Sequence, residues 1–205
     1  MLFRSAIAAD PQHAGSHYNL GNLLGDRGDK AGAEAAYRAA IAADPQHANA
    51  HFSLGVVLGE RGDKAGEEAA FRAAIAADPQ HVNAHCNLGA VLDQRGDKAG
   101  AEAALRAAIA ADPQNAAMAH YSLGNLLSEG GDKAGAETAY RAAIAADPPN
   151  AMAHCNMGAI LAERGDLAGA ARLFAAALKI DPSDASATAN LQQALRMLKE
   201  ERREA

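Results

Sequence analysis

An all-α solenoid of stacked helix-turn-helix units is predicted by three observations. The pair Asp-Pro recurs at Asp10-Pro11, Asp44-Pro45, Asp78-Pro79, Asp112-Pro113, Asp147-Pro148 and Asp181-Pro182, every interval being 34 residues except the fourth, which is 35. A fixed period of that length marks units that stack, because each buries its apolar face only against its neighbours. Within each period, apolar residues keep a helical spacing on both sides of a Gly-Asp pair. Hydrophobic residues make up 49% of the chain, mostly Ala, and aromatics only 4%. The interior is therefore predicted to rest on close helix contact more than on large side chains.

Taken in order, residues 1–13 match only the second helix of a unit, with Phe3 at the place of Tyr37 and Ile7 at that of Ile41. In the first full unit, 14–47, Leu20, Leu23 and Leu24 follow a helical period. Gly28-Asp29 interrupts it, and Ala33, Tyr37, Ala40 and Ile41 resume it until Asp44-Pro45. Gly28 suits the left-handed residue that ends the first helix, and Asp29 can accept from the free N–H groups that open the second. The pair recurs at Gly62-Asp63, Gly96-Asp97, Gly131-Asp132 and Gly165-Asp166, within units 48–81, 82–115, 117–150 and 151–184. Glu34 lies four residues before Arg38, as do Glu68 and Arg72, Glu102 and Arg106, Glu137 and Arg141. These read as solvated helical pairs of about 0.3–0.5 kcal/mol each.

Two departures stand out. Glu67 replaces the small residue found as Ala33, Ala101, Ala136 and Ala170, and an extra Ala sits in Ala116-Ala117. For Glu67 the expectation is a mildly distorted turn that lets its carboxylate reach water, with Glu67→Ala raising stability. In residues 185–205, Leu191, Ala194, Leu195 and Leu198 form one apolar face, Gln192 takes the place of the close-packing Gly, and the end is charged. That pattern predicts a solvating cap.

The net charge of -6 leaves no basic stripe to neutralise phosphates, which excludes nucleic acid as a partner. No run of 18 apolar residues spans a membrane and no signal segment opens the chain, so a cytoplasmic protein without a membrane partner is expected. All eight His occupy two recurrent places: His17, His51, His85, His120 and His154 in the first helix, and His13, His47 and His81 at the junction before it. The i, i+4 spacing of His47 and His51 suits a metal, but no third ligand accompanies it, so neither metal nor cofactor is expected. Cys86 and Cys155, at equivalent places two units apart, are expected roughly 20 Å from each other at helix spacings of about 10 Å, too far for a disulfide. They read as small groove-lining side chains. No Gly-rich phosphate loop and no catalytic triad is present, so no enzymatic activity is expected.

Leu20-Gly21, Leu24, Ala33, Tyr37, Ala40 and Pro45 carry a resemblance to the tetratricopeptide repeat (TPR) family, with His17 where its motif has Trp. The resemblance implies a right-handed αα superhelix of five full repeats, preceded by a half repeat and closed by a capping helix in a single domain. It also implies a concave face that binds an extended peptide or a partner segment. Projected there are Tyr18, Asn19, Asn22, Asn49, Phe52, Asn83, Asn87, Tyr121, Asn125 and Asn156, the expected peptide-binding set. The partial Asn ladder is similar to that lining the TPR superhelix of O-GlcNAc transferase. The function expected is a non-catalytic protein-interaction scaffold. The alternative is a self-assembling structural or designed module that stacks end to end, giving a homo-oligomer through Leu2, Phe3 and Ile7 at the open N-terminal end.

Overall fold

The computed structural model describes residues 12–204, and the apolar edge expected at Leu2, Phe3 and Ile7 lies outside the described residues. Among the described residues there are eleven α-helices and no strands. They divide at Asp112/Pro113 into two compact units.

The first unit contains α1 (Ala14–Asp26), α2 (Lys30–Ala43), α3 (Ala48–Glu60), α4 (Lys64–Ala77), α5 (Val82–Gln94) and α6 (Lys98–Ala111). Each first helix packs on its own second helix, and α2 and α4 pack on the first helix of the next repeat. The turn inside each repeat follows from its Gly-Asp pair. At α1, Gly28 takes φ +79° and the Asp29 N–H donates to the Leu24 carbonyl at 2.9 Å, ending the helix. Asp29 Oδ1 then accepts from the Gly32 N–H at 2.8 Å, opening α2. Ala33 and Ala40 are fully buried, and Tyr37, Leu54, Val57 and Leu58 join Ala33 in one core cluster. Gly21 makes that approach feasible, since a Cβ there would lie 2.5 Å from the Tyr37 ring.

The second unit contains α7 (Ala117–Glu129), α8 (Lys133–Ala146), α9 (Ala151–Glu163), α10 (Leu167–Ile180) and α11 (Ala185–Glu204). Here α8 bridges to α9, and α10 bridges to α11. Ala136, Tyr140, Met157 and Ile160 form one cluster; Cys155, Ala170, Phe174, Ala177, Ala187 and Ala194 form another.

Four local expectations change. Glu67 sits in an undistorted α4, whose Asp63 cap accepts from the Gly66 N–H at 2.9 Å as in the other repeats. Its carboxylate turns toward side-chain-free Gly59 and pairs with Lys64 Nζ at 2.8 Å. On α11, Leu191, Ala194 and Leu198 face the core, but Leu195 is 52% exposed, because at about 100° per residue it falls on the flank of Leu191 opposite Ala194 and Leu198. Cys155 is buried by α10 and α11 rather than lining a groove, while Cys86 is half-buried. The Glu–Arg pairs are also more than solvated decoration. Glu34 accepts from Arg38 of its own helix at 3.0 Å and from Arg61 of the next repeat, and Glu68 with Arg95 and Glu137 with Arg164 repeat the arrangement.

Candidate peptide-binding face

The junction histidines turn out to be helix caps. His13, His47 and His81 each present Nδ1 to the N–H three residues on, at 3.0, 3.3 and 3.2 Å. Asn150 does the same through Oδ1 at 2.9 Å. The first-helix histidines spend a nitrogen on backbone too: His51 and His85 donate Nε2–H to Pro45 and Pro79 carbonyls at 3.0 Å. His47 and His51 therefore each have one nitrogen committed to their own helix start. Among the described residues no group of three or more His, Cys, Asp or Glu is placed to hold a metal.

In the first unit the inner residues of α1, α3 and α5 split into two kinds. Tyr18 and Phe52 are half-buried, their rings 5.9 Å from Tyr37 and 5.7 Å from Phe71 respectively, and each lies 5.0 Å from a capping imidazole, His47 or His81. Both pack between one repeat and the next, and Phe52 also lines a groove. Asn19, Asn49 and Asn83 are exposed and Asn87 is half-buried. Asn49 Oδ1 accepts from His81 Nε2 at 3.1 Å, a tie across the repeat that spacing within one unit gave no sign of. Asn22 is half-buried and its Oδ1 accepts from the Tyr37 hydroxyl at 2.9 Å. A cavity of about 380 Å³ opens between α1 and α3, lined by Asn22, Asp26, Tyr37, Phe52, Ser53 and Glu60. Lys30 reaches Glu60 at 2.8 Å on its rim.

The second unit repeats this arrangement. Tyr121 is 6.1 Å from Tyr140, whose hydroxyl donates to Asn125 Oδ1 at 2.8 Å. Asn156 Nδ2 donates to the same Oδ1 at 3.0 Å and to the Tyr121 hydroxyl at 3.5 Å. The cavity, about 370 Å³, is lined by Asn125, Ser128, Glu129, Tyr140, Asn156 and Glu163, and Lys133 pairs with Glu163 at 3.1 Å. Burial pushes the Tyr37 hydroxyl up from its ordinary value, and Tyr140 up to about 12. Each groove thus offers carboxamide and hydroxyl groups on a half-apolar floor, beside carboxylates of which Glu60 and Glu163 are paired with lysine.

Helical pairs stacked through alanine, with polar groups turned into an open groove, define a helical-repeat interaction scaffold. A model of the tetratricopeptide repeat matches residues 18–81, 67–116 and 121–185, and the chain belongs to the tetratricopeptide repeat family. No curated protein matches the chain in sequence. Among solved structures, YrrB, a TPR protein with an unusual peptide-binding site, is 24% identical over 92% of this chain and 96% of its own, with a TM-score of 0.72. MamA is 26% identical over 81% and 96%, with a TM-score of 0.71. Pseudomonas aeruginosa PilF is 18% identical over 93% and 86%, with a TM-score of 0.82. The fold is accordingly the all-α TPR solenoid, a scaffold of the kind that binds proteins or peptides. No helix among the described residues is long and apolar enough to cross a membrane.

Proposed function

We propose that the chain is a non-catalytic cytoplasmic scaffold whose first-helix faces receive an extended peptide or partner segment of neutral or basic character. The observation that carries this reading is the repeated polar groove, Asn22 with Ser53 in one unit and Asn125 with Asn156 in the other, each open and half-apolar. Carboxamides match both the N–H and the C=O of an extended backbone, which gives affinity with little sequence preference. Asp26 and Glu60 with Lys30 on one rim, and Glu129 and Glu163 with Lys133 on the other, place two carboxylates against one ammonium, which favours basic over acidic partners. The net charge of -6 opposes nucleic acid.

The test is an unbiased peptide-display selection against the purified chain, with mass followed by light scattering over a concentration series. Peptides should be recovered, and replacing Asn19, Asn87 and Asn156 by Ala should weaken them at least about tenfold, from three neutral hydrogen bonds of roughly 0.5–1.5 kcal/mol each. No selected peptide, together with mass that grows with concentration and is reset by Phe3→Asp, would replace this reading with end-to-end assembly.

A further inference from the structure

A cavity of a different kind lies between the second and third repeats, on the side of their second helices. It measures about 460 Å³, within the range of roughly 300–1,000 Å³ of small-molecule sites, and shares no residue with the polar groove between α1 and α3. Ile75 of α4, Leu88 and Leu92 of α5, and Ala104 and Ala107 of α6 form its apolar wall. Small side chains on α6 leave the space open. The second unit shows what closes it, because at the register of Ala104 it carries Leu173, which packs on the core cluster of Tyr140, Met157 and Ile160.

One polar ring is set in this wall. His85 is only 9% exposed, and its Nε2 lies 3.0 Å from the Pro79 carbonyl, which can only accept. The neutral imidazole therefore carries its proton on Nε2 and leaves Nδ1 as an acceptor. Among the described residues nothing donates to that nitrogen. An open acceptor in so buried a ring costs free energy, which a donor arriving in the cavity recovers. His85 is also the counterpart of His17, so an imidazole stands where the repeat motif has the larger indole. The charged residues of the lining are engaged: Arg72 Nε and Nη2 donate to Glu68 at 3.1 and 3.0 Å, and Asp97 Oδ1 accepts from the Gly100 N–H at 2.9 Å. A peptide main chain would bring a donor and an acceptor per residue to an apolar wall that satisfies neither.

We propose that this cavity is a binding site for a small, neutral, planar aromatic compound with one N–H donor, of the indole class, whose ring lies on the leucine and alanine wall and whose N–H is received by His85 Nδ1. The site acts independently of the inner-face groove. Its occupant touches α4, α5 and α6 together and so ties the second repeat to the third.

The experiment follows the methyl signals of Ile75, Leu88 and Leu92 in the ¹³C-methyl-labelled full chain while indole is titrated in. Benzofuran, an isostere without the N–H, and N-acetyl-tryptophanamide, an indole carried on a peptide backbone, are the further probes. Indole should shift the three residues saturably, with half-saturation at or below about 1 mM, while Val56 of the inner groove stays still. Benzofuran should bind about two- to tenfold more weakly, the effect of one neutral hydrogen bond. Ala104→Leu copies Leu173 and His85→Trp supplies an indole from the chain itself; both should keep the helical circular dichroism and abolish the response. Equal binding of indole and benzofuran would overturn the role of His85, and an unchanged response in Ala104→Leu would overturn the cavity. A shift at Val56 but not at Ile75, Leu88 or Leu92 would place the ligand in the inner groove and overturn the site. Tighter binding of N-acetyl-tryptophanamide than of indole would reassign the cavity to a tryptophan of a partner protein. No saturable shift up to about 5 mM indole would overturn the proposal outright.

Discussion

Replacing the imidazole at the head of α5 separates the cap from everything else His81 does. Its Nδ1 accepts the Ala84 N–H at 3.2 Å, and its Nε2 donates to Asn49 Oδ1 at 3.1 Å. One neutral tautomer, protonated on Nε2, satisfies both bonds. The ring also lies 5.0 Å from Phe52. His81→Ala loses the cap, typically about 1 kcal/mol, together with an exposed neutral hydrogen bond at the low end of roughly 0.5–1.5 kcal/mol. The sum is about 1.5 kcal/mol. His81→Asn should retain the cap, because Asn150 makes the same bond to the Ala153 N–H at 2.9 Å at the head of α9. Its loss should be only about 0.5 kcal/mol, from the severed tie to Asn49. Urea unfolding followed by helical circular dichroism reads the difference as two separate midpoints with unchanged slope. Equal losses for the Ala and Asn variants would refute the cap and leave the ring's packing as the source of the effect.

The remaining predictions concern buried or partnered charge. Tyr140 keeps its proton in the folded state up to about 12, whereas the unfolded phenol ionises near 10. Stability should therefore be full below about pH 10 and fall between there and about pH 12, by on the order of 2 kcal/mol, and Tyr140→Phe should flatten that decline in alkaline unfolding. His120 is shifted the other way by burial. Its share of stability should be present above about pH 6.5 and be lost as pH falls through its lower folded value, and an NMR titration of its ring should show that depressed midpoint. For Glu67→Ala, the ion pair with Lys64 at 2.8 Å and the acid's place in the first turn of α4 reverse the expectation from sequence. The variant should lose about 0.5–1 kcal/mol, and a higher melting temperature would show that close packing outweighs the pair.

The helical repeat was legible because its signals are local. The Gly-Asp turn needs one positive φ and one acceptor three residues ahead, both written in adjacent letters, and at Gly28-Asp29 both are observed. Bonds that cross from one repeat to the next were not legible. The i, i+4 rule finds Glu34 with Arg38, but Arg61 reaches the same carboxylate from 27 residues on. No spacing rule within a helix anticipates that. The spacing of His47 and His51 suits paired ligands because sequence shows their separation and not which nitrogen is engaged. The inner-face asparagines were found by register alone, and register could not separate Asn22, whose oxygen is taken by Tyr37, from exposed Asn19. Comparing repeats with one another would have supplied that signal, since the hydroxyl of Tyr37 and the amide of Asn22 are present or absent together.

The same comparison of repeats explains the carboxylates of the second helices. Glu34, Glu68 and Glu137 each receive two guanidiniums and are only 16%, 13% and 13% exposed. Glu102 is held by Arg106 of its own helix and is 37% exposed. A carboxylate is drawn toward the helix surface only when enough donors replace the water it gives up. At Glu34, Glu68 and Glu137 the second donor is the arginine that ends the first helix of the next repeat, so their depth is set by that residue as well as by their own helix. In a chain this repetitive, the arginines at that register mark where one repeat is tied to the next within each unit.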